Sequence, residues 1–356
     1  DDVLRIRMRG VTGQDVSAAL PGIASGIGVL IFSGGPTGVS FDGSTVGVGT
    51  NGASPFTVDE LSYQFALSPS LRVFIGPRLE ISEYVDANSF ANSEEIDFTG
   101  GLLTNSPLLT FVFFGPGFGF DWDISEAVSL RTIYLGNNGG AVGGDPRRDF
   151  SPFGIPLGAF GAAGLFGGES SLVSELEVRP SPGSAVRLQY GHLVDQGGIL
   201  GSLTLPTRLA NSLTDAWGFN FEWAITPGFA LFGRYSFGNL TVNPLSTADL
   251  AFTPVALNAW QAGITFIDLG GQGNALGLTV AQPLRVFAGS AQNLFVPGTV
   301  TPLAPSGVET DIAFYYRLRL SDRVSLSPYV QFIAEPVNSR LSNGLMVGAL
   351  RAVFEF

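Results

Sequence analysis

Arginine recurs in this chain at every second position of short segments. Arg5, Arg7 and Arg9 alternate with Leu4, Ile6 and Met8, and Arg317 and Arg319 alternate with Tyr316, Leu318 and Leu320. All 18 basic residues are arginines, against 30 acidic ones, for a net charge of −12. Guanidinium is planar, always ionised and able to pair bidentately, so it suits charges fixed in a wall; a coding bias would give the same count. Counted by parity, the face bearing Arg5, Arg7 and Arg9 also bears Arg72, Arg78, Arg131, Arg187, Arg234, Arg317, Arg319 and Arg351. A ring of such cations around a passage favours anions at close quarters. The same face carries Asp121, Asp123, Glu175, Glu177 and Glu222, which could instead pair with the arginines and leave little net field.

A second charged group is acidic. Glu80, Glu83, Asp86, Glu94, Glu95 and Asp97 fall within residues 80–103. Folded into a passage, this segment would narrow it and set acids across from arginines, giving a transverse field that orients polar solutes. Left outside, it would be a solvated loop that binds divalent cations or nothing. Catalytic chemistry is poorly supplied. His192 is the sole histidine, so a Ser-His-acid site would have one candidate and no spare. Zinc would find neither cysteine nor a second histidine, and the glycine-rich pieces precede no helix that could hold phosphate. No catalytic residue, metal or cofactor is expected, and the acidic balance disfavours nucleic acid as a partner.

The elements that position these residues are strands. Charged residues make up 13% of the chain, against about 25% in an average soluble domain. Apolar runs fall short of the roughly 20 residues of a membrane helix. An apolar chain without such runs must distribute its apolar residues by alternation. Leu61, Tyr63, Phe65 and Leu67 lead through Ser68-Pro69-Ser70 into Leu71, Val73 and Ile75; Trp217, Phe219, Phe221 and Trp223 lead through Thr226-Pro227-Gly228 into Phe229, Leu231 and Tyr235. Fourteen such segments are counted, joined alternately by short turns and long loops. The last places Met346, Gly348, Leu350, Ala352, Phe354 and Phe356 on one face and Arg351 and Glu355 on the other. An apolar face that ends on an aromatic is the signal of a closing strand, carried by Phe354 and Phe356.

The pattern predicts an all-β fold: a transmembrane antiparallel up-and-down β-barrel, one domain over residues 1–356, with short periplasmic turns and long external loops. Its partners would be outer-membrane lipid and lipopolysaccharide. Sixteen strands is the expected total and fourteen the alternative. The extra pair would come from 28–32 and 39–41, inside the long first segment 11–55, or from upstream of Asp1, since the numbering is expected to start inside a longer or processed precursor. Trp217, Trp223, Trp260 and His192 take the lipid-facing register. Phe74, Phe232, Tyr315 and Tyr329 face inward, to stack on sugars or to fill space. Gly233, Ala262, Gly348 and Ala352 form an outward run of small residues where copies could meet.

Several stretches resemble cyanobacterial outer-membrane porins, a family related to the carbohydrate-selective porins of proteobacteria. They are Glu60-Leu-Ser-Tyr-Gln-Phe-Ala-Leu67 with Val73-Phe-Ile-Gly-Pro-Arg78, Gly115-Pro-Gly-Phe-Gly-Phe-Asp-Trp122 with Ser125-Glu-Ala-Val-Ser-Leu130, and Thr310-Asp-Ile-Ala-Phe-Tyr-Tyr-Arg-Leu-Arg319 with Val324-Ser-Leu-Ser-Pro-Tyr329. The resemblance implies a sixteen-stranded barrel, a homotrimer, that passes small solutes; some members are linked to inorganic ion or iron uptake. Members usually carry an N-terminal S-layer-homology domain that grips peptidoglycan, so any peptidoglycan contact would run through a segment absent here. The expectation is a passive channel for small hydrophilic solutes or inorganic ions, Arg-lined and narrowed by the acidic loop. The alternative is an envelope-anchoring barrel with a plugged pore.

Overall fold

Period-two alternation is realised as a ladder of long antiparallel strands, because each strand can then give one face to hydrocarbon and the other to the interior. The computed structural model describes residues 2–9, 57–91, 105–106, 108–110, 114–136, 165–166, 169–195, 209–244, 250–293, 298–341 and 343–354. The strands are β1 (Val3–Arg9), β2 (Thr57–Ser68), β3 (Leu71–Glu80), β4 (Phe114–Ser125), β5 (Val128–Gly136), β6 (Ser170–Ser181), β7 (Ser184–Asp195), β8 (Leu209–Thr226), β9 (Phe229–Pro244), β10 (Leu250–Phe252), β11 (Val255–Ile267), β12 (Ala275–Ala288), β13 (Ser290–Asn293), β14 (Val300–Pro302), β15 (Thr310–Ser321), β16 (Val324–Ala334) and β17 (Leu345–Phe354). Fourteen of them pair in the order β1 to β9, β11, β12, β15, β16, β17, while β10, β13 and β14 form a separate small sheet. The fourteen match the segments counted by alternation. The further pair at 28–32 and 39–41, with all of 11–55, lies outside the described residues.

Tight turns join β2 to β3, β4 to β5, β6 to β7, β8 to β9 and β15 to β16, all at one end of the ladder. Ser-Pro, Pro-Gly and Ser-Asp pairs suit these turns, and Gly183 takes the left-handed φ of 78° that glycine adopts without strain. The longer connections gather at the opposite end, the external one in barrels of this kind.

The outward face is apolar and open to its surroundings: Tyr63, Ile75, Phe118, Trp122, Leu172, Leu188, Phe219, Tyr235, Phe314 and Phe332 are all exposed. Tyr190, Trp217, Phe237 and Phe287 run across β7, β8, β9 and β12 with ring centroids 5.9, 6.1 and 6.0 Å apart. One step further along, the outward register turns polar, where His192 Nδ1 lies 3.0 Å from Asp215 Oδ1 and the Tyr190 hydroxyl donates to the same oxygen at 2.8 Å. An aromatic row followed by ionisable groups is what a membrane boundary selects. From Trp217 to Ile225 on β8 the register is apolar, close to the roughly 9–11 residues a tilted strand needs to span.

The inward face is filled. Towards the loop end, Leu193, Leu240, Val242, Val255, Leu257 and Val286 form a buried apolar cluster with Leu79 of β3 and with Ile81, Val85, Leu108 and Leu109 of the β3–β4 connection. Phe252 and Leu303, at the small sheet, pack against it.

Candidate functional site

The site is built where the chain leaves β3. A bulge falls between Gly76 and Leu79 in the pairing with β4, and a second between Leu61 and Tyr63 in the pairing with β2. Leu79 is thereby fully buried on the inward side, whereas Arg78 pairs with Leu61, in step with outward Tyr63 and Ile75. The inward placement that simple parity gives Arg78 is therefore corrected, because one extra residue at a bulge swaps the faces beyond it.

A single tight turn, Ile81–Glu83, follows; Tyr84 and Val85 both donate their backbone N–H to Ile81 O, at 3.1 and 3.2 Å. The Tyr84 ring stacks on Phe74 with centroids 3.8 Å apart, and its hydroxyl donates to Glu60 Oε1 at 3.1 Å. Burial pushes that hydroxyl up to about 12, so it stays a donor. Phe74 itself lies flat over Gly119, where any Cβ would meet the ring.

Asp86 is the hub. Its backbone takes a left-handed φ of 62°, and its side chain is fully buried. Oδ1 accepts from Asn220 Nδ2 at 2.7 Å, Gln189 Nε2 at 3.0 Å and Arg234 Nε at 3.2 Å. Oδ2 accepts from Ser106 N at 2.6 Å, which ties the two described halves of the connection together. The backbone joins in: Asp86 N donates to Glu175 at 2.7 Å and Arg234 donates to Asp86 O at 3.0 Å. Asn88 donates to Asn220 at 2.7 Å and Ser89 N to Glu222. Leu109 completes the seat by lying over wall glycines: a Cβ on Gly218 would stand 2.5 Å from one of its methyl groups, and one on Gly191 3.0 Å from the other. The segment after β3 thus rests on the inward face of β6, β7, β8 and β9.

The wall beneath it is a chain of ion pairs. Arg131 reaches Asp121 at 3.3 Å, Glu175 at 3.1 Å and Glu177 at 3.2 Å. Arg187 bridges Glu177 at 2.5 Å and Glu222 at 3.0 Å. Arg234 also donates to Gln261 at 2.9 Å. Across the sheet, Arg5 lies 3.1 Å from Glu83 and 3.6 Å from Glu60, while Arg7 pairs with Glu83 at 2.7 Å and with Glu80. The acids of the segment therefore divide: Glu80 and Glu83 meet Arg5 and Arg7, and Asp86 meets Arg234.

Other sequence candidates lie apart from this site. Arg72 shares the inward register and is exposed. Arg317 and Arg351 stand opposite Ala275 and Ser327. Arg319 folds onto its own turn, 3.0 Å from Asp322. Phe354 ends β17; the side chain of Arg9, and Glu94, Glu95, Asp97 and Phe356, lie outside the described residues. Phe232 and Tyr315 cover Gly263 and Gly277 as Phe74 covers Gly119, and all three rings are buried. They fill space rather than offer a stacking surface. The outward groove at Gly233 is likewise occupied, by the Phe221 ring at 2.6 Å. Sequence reasoning missed Glu60, an acid that lies before the acidic segment in the chain, and Gln189, Asn220 and Gln261, whose amides at inward positions carry no charge signal.

Comparison with known proteins agrees with this architecture. Residues 1–356 match the family described as carbohydrate-selective porin, OprB family. An uncharacterized protein of Synechocystis sp. is 26% identical over 263 residues, covering 68% of this chain and 43% of the relative. One of Nostoc sp. is 21% identical over 376 positions, covering 97% and 58%. The chain spans about half the length of these curated relatives. Among solved structures, Pseudomonas putida OprB at high pH superposes with a TM-score of 0.56 at 14% identity, covering 86% of this chain and 74% of that one. A porin refined at 1.8 Å gives 0.50 at 13% identity, covering 84% and 81%. At such identities the structures speak for the fold, an outer-membrane barrel. The family match goes further: the chain belongs to the carbohydrate-selective porins of the OprB family, integral outer-membrane proteins.

Proposed function

We propose that this barrel is a passive diffusion channel for small neutral hydrophilic solutes of sugar size, with the segment after β3 narrowing its bore. The observation that carries the reading is the seat of that segment, Asp86 held by Gln189, Asn220 and Arg234 on the inward wall. The arginines around it already hold carboxylates. Arg131 has three acidic neighbours and Arg187 two, so they add little net field for a passing ion. An arginine-lined anion filter, the simplest expectation from parity, is thus the weaker reading. The assembly proposed is a homotrimer in lipid, with lipopolysaccharide at its aromatic external rim.

The test pairs two measurements on purified protein. Proteoliposomes should swell in isotonic monosaccharide, and planar bilayers should give a reversal potential near zero in a salt gradient. Strong anion selectivity would restore the arginine filter. Absence of both swelling and conductance would favour a plugged, anchoring barrel.

A further inference from the structure

We infer that Glu309 and Asp311, at the loop end of β15, hold a divalent cation of the calcium class. The inference goes beyond the channel reading and does not depend on it.

Alternation with outward Ile312 and Phe314 turns Asp311 inward, and Glu309 stands two residues before it; Asp311 is 0% and Glu309 1% exposed. Asp311 lies opposite Ala281 of β12 and Ile333 of β16. Ala281, Ala313 and Ile333 are all buried, so the niche is apolar. The charged group that acts most on Asp311 is another acid, Glu309. Neither Asp311 oxygen has a hydrogen-bond partner among the described residues, although the Gln331 amide stands beside it. Burying a carboxylate without a counter-ion costs far more than burying a neutral polar group. Two such acids side by side stay ionised together only with a cation between them.

A separate observation supplies a further oxygen. Thr279 on β12 is 1% exposed, and its hydroxyl has no hydrogen-bond partner among the described residues. Thr279, Ala313 and Gln331 form one row across β12, β15 and β16, next to the row that holds Asp311. Thr279 and Gln331 are thus diagonal neighbours of Asp311 on either side, at about 7–8 Å between backbones. Ala313, between them, contributes only a methyl group. Carboxylate, hydroxyl and amide oxygens, with no nitrogen or sulfur ligand, select a hard ion, and such unequal donors suit calcium better than magnesium. The chain around the site is already knit: Val308 N donates to Glu335 Oε2 at 2.7 Å, Glu309 N to Asn338 Oδ1 at 3.0 Å and Asn338 Nδ2 to Leu284 O at 3.4 Å. A cation on Glu309 and Asp311 therefore locks the connections after β14 and β16 onto β12.

The test uses purified barrel in liposomes free of lipopolysaccharide, stripped with a chelator and titrated with calcium chloride. Urea unfolding reads stability, and the luminescence of terbium, a calcium substitute excited through nearby tyrosine, reads binding. At calcium 100 times its Kd, the folded-to-unfolded ratio should rise about 100-fold. Asp311→Asn and Glu309→Gln should each abolish the rise, and Thr279→Val should weaken binding without abolishing it. Asp322→Asn, at a turn acid 96% exposed, should keep the full response. Neutralising a buried acid changes stability by itself, so each variant is read by its change with calcium. A wild-type barrel indifferent to calcium would overturn the site whichever variants fold; if its stability then fell as pH rose, a shared proton would take the cation's place. A calcium response that survives both Asp311→Asn and Glu309→Gln would overturn it equally.

Discussion

The two sides of the inward wall use the same residue in opposite ways. Arg187 and Arg234, on β7 and β9, are almost fully buried. Arg5 and Arg72, on β1 and β3, are exposed. Alternation put all four on one face, so the difference arises in the neighbouring strands. β6 and β8 supply Glu175, Glu177 and Glu222 beside Arg131 and Arg187, and the docked segment supplies Asp86 to Arg234. Arg72 has Ala66 on one side and, on the other, an Asp121 already engaged by Arg131. A guanidinium leaves water only where carboxylates replace its hydration, at a cost of several kcal/mol otherwise. Arg187 and Arg234 thereby belong to a core, and Arg72 stays at a surface.

Removing the group that makes the difference should have the largest effect. Asp86→Ala leaves Arg234 buried without its carboxylate and frees Asn220, Gln189 and Ser106 N together. A loss of about 3–5 kcal/mol is expected, the range for breaking a buried pair from one side. Urea unfolding in lipid vesicles would measure it. If the segment comes off the wall, single-channel conductance rises as stability falls; an unchanged conductance would show that the seat does not set the bore. Next in size is Gly218→Val, which drives a side chain into Leu109 and Gln189. Overpacking costs about 1–3 kcal/mol, and the same rise in conductance should appear with the charge network left intact.

The sequence made the strands legible and left the seat largely hidden, for a physical reason. Alternation is a property of one strand, so the fourteen strands and their turns could be read directly, and so could the outward register of Trp217 and His192. Contacts across strands depend on register, and one bulge between Gly76 and Leu79 was enough to send Arg78 to the other face. Charge pointed to Asp86 and to the carboxylates beside Arg131 and Arg187. It did not point to Gln189, Asn220 and Gln261, since an amide that anchors a loop looks like any polar residue on a strand. The glycines under Leu109 were equally silent: a missing side chain announces no partner.

Two smaller effects sharpen the comparison. Tyr84→Phe removes the hydroxyl bond to Glu60 but keeps the stack on Phe74, for about 0.5–1.5 kcal/mol. The hydroxyl is raised from 10.0 to about 12, chiefly by burial. Its contribution is therefore complete below pH 10.0 and fades as pH climbs towards about 12. Wild type and Tyr84→Phe should thus converge in stability over that alkaline window, in denaturant titrations at successive pH values.

Arg72→Gln should barely move stability, within about 0.5 kcal/mol, as for surface changes generally. Its charge faces solvent with no ion pair among the described residues, so nothing buried is orphaned when it goes. The same exposure makes it an arginine whose charge a permeating ion feels, screened chiefly by water and mobile salt. Neutralising it should shift the reversal potential towards cations, most at low ionic strength. Arg187→Gln makes the opposite case: it should destabilise strongly, because Glu177 and Glu222 lose the cation between them. If the two substitutions changed selectivity alike and stability alike, the contrast between a core arginine and a surface arginine would be wrong.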